Sequence, residues 1–141
     1  MGGRWHIVAC CLAWLLGHAP MAAADGDRPD RLHFEHVGDQ DGAGPPFDIA
    51  AGRSGQSSYT LVLVSPPAYA ALRALVSRAP PAAGRAAGTF EVTEYAGGQL
   101  RRRAILSPAA MKAAVALIHR DCDRQQARLP AAIAIQEQLL K

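Results

Sequence analysis

Residues 90–106 read FEVTEYAGGQLRRRAIL, followed at once by Ser107-Pro108. Two runs with apolar side chains at alternate places flank a glycine pair, the signature of an antiparallel hairpin. A three-residue Gly97-Gly98-Gln99 loop pairs Ala96 with Leu100, and hence Phe90 with Leu106, Val92 with Ala104 and Glu94 with Arg102. A loop one residue shorter or longer sets Val92 against an arginine on the apolar face, so the register points to three residues. Tyr95, Thr93 and Glu91 then share the outer face with Arg101, Arg103 and Ile105.

Ser107-Pro108 opens a helix, since Ser is a favoured N-cap and Pro at the first helical position gives up no needed hydrogen bond. Met111, Val115, Ile118 and Cys122 form its apolar stripe, with Lys112, His119 and Asp123 on the opposite side. Upstream the same layout is met once before. Phe47-Asp48-Ile49 starts a short strand, and Tyr59–Val64 (YTLVLV) is the strongest strand signal in the chain. Its Leu61–Val64 run is apolar on both faces, which predicts a central strand covered on both sides, with one helix or the long loop crossing to the second face. Ser65-Pro66 then starts a helix with Ala68, Leu72, Leu75, Val76 and Ala79 as its core stripe, ended by Pro80-Pro81. Residues 80–88 are a connector.

The two segments are offset by 43 and 42 residues, and SPPAYAALRALV matches SPAAMKAAVALI at six of twelve places. They read as two β-hairpin–helix units, either duplicated or convergent. Leu32–Val37 adds a strand, with Leu32, Phe34 and His36 on one face and His33 and Glu35 on the other. Pro130 precedes a last helix, Ala131–Leu140, with Ala132, Ile135 and Leu139 along one face. The expected class is α+β: an antiparallel sheet of about five strands, two main helices and a short C-terminal helix.

Residues 1–24 read as a secretory signal peptide. Arg4 supplies the positive start, Ile7–Leu16 an apolar stretch too short to span a bilayer, and Ala22-Ala23-Ala24 the small residues before a cleavage at Ala24-Asp25. The Ile7–Cys10 stretch is not a lipid-attachment box, because its apolar run follows the cysteine. Cleavage leaves about 117 residues, enough for the single domain 25–141, in which 25–31 is a loose leader. No later apolar run is long enough to cross a membrane. Of three cysteines only Cys122 remains, so no internal disulfide can form. Fourteen basic and twelve acidic residues leave the mature chain near neutrality, which together with export argues against nucleic acid as a partner.

Catalytic constellations do not assemble in the pattern. His33-Phe34-Glu35-His36 puts only His33 and Glu35 on one strand face, and a catalytic zinc needs three protein ligands; the third would have to come from His119, Asp121 or Asp123. Asp39-Gln40-Asp41-Gly42 lacks the later carboxylates of a calcium loop, with Ala43 and Ala50 in their places. Gly52-Arg53-Ser54-Gly55-Gln56 misses the final glycine of a nucleophile elbow. Cys122 lies on the apolar stripe and reads as an inert core thiol. Neither a phosphate-binding loop nor a dinucleotide fingerprint occurs, so no cofactor and no metal is expected.

Tyr95 with Arg101 and Arg103 stands out instead, since Arg and Tyr are the residue types that anchor interfaces. The reading that follows is an exported, non-enzymatic binding protein of the bacterial envelope (an inhibitor, immunity-type partner or accessory factor) whose partner is another envelope or exported protein. The rival is a small exported hydrolase or metal-dependent enzyme using His33, Glu35 and His119, and it requires those side chains to converge.

Overall fold

The computed structural model describes residues 29–38, 44–52 and 60–141. The signal peptide expected over 1–24, the acidic turn 39–42 and positions 53–56 of the serine motif lie outside them. Strand β1 (Arg31–Val37) forms where Leu32 and Phe34 alternate with His33 and Glu35, and its burial follows that alternation. With β2 (Phe47–Ala51), β3 (Leu61–Val64), β4 (Thr89–Ala96) and β5 (Gln99–Leu106) it makes one five-stranded sheet, ordered β3-β2-β1-β4-β5. The class is α+β, as expected, and the sheet is mostly antiparallel.

One pairing is parallel. β2 and β3 run side by side in the same direction, Asp48 opposite Leu61 and Ala51 opposite Val64, so the first unit is not a hairpin although the second is. Residue periodicity assigns faces to a strand but not its direction relative to a neighbour, and the shared layout concealed the difference. β3 is also the last strand on its side among the described residues, not a central one. Val62 and Val64 are fully buried under the helices, while Leu61 and Leu63 are half-buried on the far face. Leu63 packs over Gly52, where a Cβ would come within 3.2 Å of its methyl groups. The apolar run therefore reports one buried and one half-buried face rather than two strand neighbours. Conversely β1, whose polar His33 and Glu35 suggest an exposed edge, is the middle strand.

Helices α1 (Pro66–Ser77), α2 (Pro108–Arg124) and α3 (Ala131–Leu139) all lie on one side of the sheet, so no helix among the described residues crosses over. Both Ser-Pro starts behave as expected: Ser65 Oγ accepts from Ala68 N at 3.4 Å and Ser107 Oγ from Ala110 N at 3.1 Å. Leu72 and Val76 of α1 and Met111, Val115, Ile118 and Cys122 of α2 are buried against Leu32, Ile49, Val92 and Leu106. Phe34 stacks on Phe47, its register partner, with centroids 5.1 Å apart. Each such large apolar side chain contributes about 1.5–3 kcal/mol on burial.

Three polar groups fasten these layers. Asp121, 5% exposed on α2, accepts from Ser65 N at 2.9 Å, from Ser65 Oγ, and from Gln125 Nε2 at 2.6 Å, so the start of α1 is held by the end of α2. Arg73 of α1 reaches Glu94 of β4 at 2.6 Å. Arg102 of β5 donates to Ser77 O at 2.8 Å and to Ala79 O, satisfying carbonyls at the C-terminus of α1.

α3 is rotated from its expected setting. Ala132, Ile133 and Gln136 face the core, whereas Ile135 is half-buried and Leu139 is 40% exposed. Its sequence is apolar almost all round, so packing rather than periodicity selects the buried face.

Candidate functional site

The sheet face opposite the helices carries the residues that point toward recognition. Its side chains line up in rungs that cross the whole sheet. Leu63, Ala50, Arg31, Tyr95 and Leu100 form one rung, and Leu61, Asp48, His33, Thr93 and Arg103 the next. Glu35, Glu91 and Ile105 follow on β1, β4 and β5. Each rung is polar in the middle and apolar at one or both ends.

Ion pairs tie the middle together. Asp48 Oδ1 lies 2.8 Å from His33 Nδ1 and 3.8 Å from Arg31 Nε. The Arg31 guanidinium sits over the Tyr95 ring, 4.3 Å from its centroid, a cation–π contact. Arg103 donates twice to Glu91 Oε1, at 2.6 and 2.9 Å. Arg85, from the connector ahead of β4, reaches Glu35 at 2.5 Å.

The hairpin turn differs from the expected one, and the difference remakes the site. Gly97 and Gly98 have φ of +57° and +76°, so they form a two-residue turn of the type that needs positive φ at both central positions. Ala96 pairs with Gln99 and Tyr95 with Leu100, while Glu94 still faces Arg102. A β-bulge absorbs the odd residue, leaving Arg101 without a partner across the ladder. The lower register is thus as expected, but Leu100 replaces Arg101 opposite Tyr95 on the outer face.

The three residues singled out in the sequence therefore fare differently. Tyr95 is half-buried, with Arg31 on its ring. Arg103 is engaged by Glu91, whereas Glu94 turns to Arg73 of α1. Arg101 is exposed and makes no ion pair among the described residues. Beside it stands Leu100, 56% exposed, the most exposed large apolar side chain among the described residues. Leu100 was missed because a three-residue loop turns it inward; the Gly-Gly pair, a strong two-residue turn signal, was the clue. The outer edge of β5 is occupied further along by the connector, where Ile105 N donates to Pro80 O and Ala82 N to Arg103 O, each at 3.0 Å. The hairpin tip, with Gln99, Leu100 and Arg101, stays exposed beyond that seal.

His33, Glu35 and His119 do not come together. His33 and Glu35 lie on the outer face, paired with Asp48 and Arg85, while His119 is on α2 behind the sheet, 3.2 Å from Glu137. No group of three metal-binding side chains occurs among the described residues. Cys122 is buried, and burial, reinforced by Asp121 and Asp123, pushes its thiol pKa up and keeps it protonated. No helix among the described residues is long and apolar enough to cross a membrane. Comparison of the chain with protein-family models, with curated proteins and with solved structures finds no match.

Proposed function

We propose that this chain is an exported, non-enzymatic binding protein of the bacterial envelope, of the inhibitor, immunity or accessory type, that engages another envelope or exported protein through the tip of the β4–β5 hairpin. The observation that carries the reading is the pairing of an exposed leucine with an uncommitted arginine beside a two-residue turn. Leu100 is the register partner of Tyr95, and Arg101 is left without a ladder partner by the bulge. Arginine and tyrosine are the residue types enriched at interface hot spots, and the exposed leucine adds apolar area beside them. The neighbouring ion pairs hold the surrounding face in one arrangement, which lowers the entropy lost on docking.

The test is capture from native envelope extract, identification of the captured protein, and titration of the purified pair. Leu100→Asp/Arg101→Glu should weaken that complex at least tenfold, equivalent to about 1.4 kcal/mol. Equal affinity for the parent and the variant removes the hairpin tip from the interface. Absence of any stoichiometric partner for the folded protein counts against the binding reading as a whole.

A further inference from the structure

A second surface lies behind the sheet. Lys112, Val115, Ala116, His119 and Arg120 recur along α2 at i, i+3, i+4, i+7 and i+8, one continuous stripe. Glu137, Leu140 and Lys141, at the end of α3 and just beyond it, form the facing wall of a groove of about 590 Å³. That is within the roughly 300–1,000 Å³ of small-molecule sites. Val115, Ala116 and Leu140 make an aliphatic floor. Lys112, Arg120 and Lys141 supply the charge, and none of the three has an ion-pair partner among the described residues. The one acidic side chain in the lining, Glu137, is taken up by His119 at 3.2 Å.

We propose that this groove binds a fatty acid, its alkyl chain along Val115, Ala116 and Leu140 and its carboxylate on a cation at one end of the rim. Charge complementarity selects the head group: Lys112 and Arg120 are uncommitted, and the acidic side chain facing them, Glu137, is already paired. A guanidinium and an ammonium at opposite ends of a helical stripe accept an anionic head while the floor between them accepts only an apolar tail. The site is independent of the hairpin tip, which lies at the far end of β5 on the outer face.

The test is calorimetric titration of the full chain with decanoate below its micelle concentration. The chain also contains the apolar Ile7–Leu16 stretch, so the signal that counts is one that groove variants lose. Wild type should bind one decanoate saturably. Lys112→Glu/Arg120→Glu should weaken it at least tenfold, and Ala116→Trp, which fills the floor from an exposed helix position, should do the same. Circular dichroism and the thermal midpoint of both variants should stay unchanged. Decyltrimethylammonium, with the same tail and the opposite charge, should not compete, and Leu100→Asp/Arg101→Glu should bind decanoate normally. Unchanged binding by the folded groove variants, absence of saturable binding, or equal binding of the cationic analogue overturns the proposal. Decyl phosphate binding tenfold more tightly than decanoate overturns the fatty-acid assignment in favour of a phosphorylated lipid.

Discussion

Glu35 and Glu91 are direct register partners across β1 and β4, and Arg85 spans them, 2.5 Å from the first and 3.9 Å from the second. Like charges opposite one another in a sheet repel, so the pair is tolerable because a cation from the connector lies between them. This is why a Gly- and Ala-rich stretch such as 82–88 carries one arginine at this place.

Removing that cation should therefore expose the repulsion. Arg85→Ala is expected to cost about 1 kcal/mol in urea unfolding, the scale of a partly exposed ion pair combined with an opposed like-charge pair. Adding Glu35→Gln to Arg85→Ala should recover roughly half of the loss, since one of the two opposed charges is gone. If the double variant is no more stable than Arg85→Ala alone, the cation does not act through Glu35.

The three consecutive arginines should separate sharply by function. Glu91 is 5% exposed in its side chain and is held by Arg103, so Arg103→Ala leaves an under-paired carboxylate and should cost about 1–2 kcal/mol after allowance for the partial exposure of Arg103. Arg101→Ala should change stability by no more than about 0.5 kcal/mol, because it gives up no ion pair. Equal losses in denaturant titrations of the two variants contradict this division. The same contrast makes Arg101, and not Arg103, the clean position for interface experiments.

Gln136 is 1% exposed, and neither its amide nitrogen nor its amide oxygen has a hydrogen-bond partner. It lies against Gly44, where even a Cβ would come within 2.8 Å of the amide nitrogen. A buried polar group without partners costs about 1–3 kcal/mol, so the similarly shaped Gln136→Met should stabilise the fold by about 1 kcal/mol. The thermal midpoint should rise by roughly 4 °C. A lower midpoint would show that the amide is satisfied in solution.

Tyr69 offers a spectroscopic check on the packing of α1. Its hydroxyl is buried without a partner, and burial, with Asp30 and Glu94 nearby outweighing Arg73, pushes its pKa up to about 12. One phenol should thus titrate well after the ordinary range near pH 10 when phenolate absorbance is followed. A raised folded-state pKa means the folded form keeps its proton longer, so the contribution to stability is intact below about pH 10 and is lost as pH rises toward 12. Tyr69→Phe should abolish the late step and flatten stability in that window. A Tyr69→Phe protein that retains the late phenol would place it elsewhere.

Much of this architecture is written in local pattern, and what is not has identifiable causes. The alternation of Leu32 and Phe34 with His33 and Glu35, and the two Ser-Pro helix starts, depend on neighbours in sequence and are directly readable. The direction of β3 beside β2 depends on partners, and alternation carries no information about partners. The hairpin was legible from Phe90 to Glu94 because its apolar face admits one register, but at the tip a bulge replaced a longer turn and turned Leu100 outward. In α3 the run AAIAIQEQL has apolar side chains on every side, so its contact with the sheet decided which were buried. The candidate site suffered most from distance: the cation over Tyr95 comes from Arg31, and no local rule pairs residues so far apart.

The clasp between Ser65 and Asp121 also sets an order of events. The first turn of α1 takes its outside acceptor from a carboxylate 56 positions further on. A chain emerging amino end first therefore holds α1 in an unfinished state until most of α2 has followed, and β1 likewise waits for β4 before its second edge is paired. Contacts of such long sequence separation slow folding and make it concerted. Fragments cut short of Asp121 should behave as loose intermediates, so the helical layer locks in one late step rather than helix by helix.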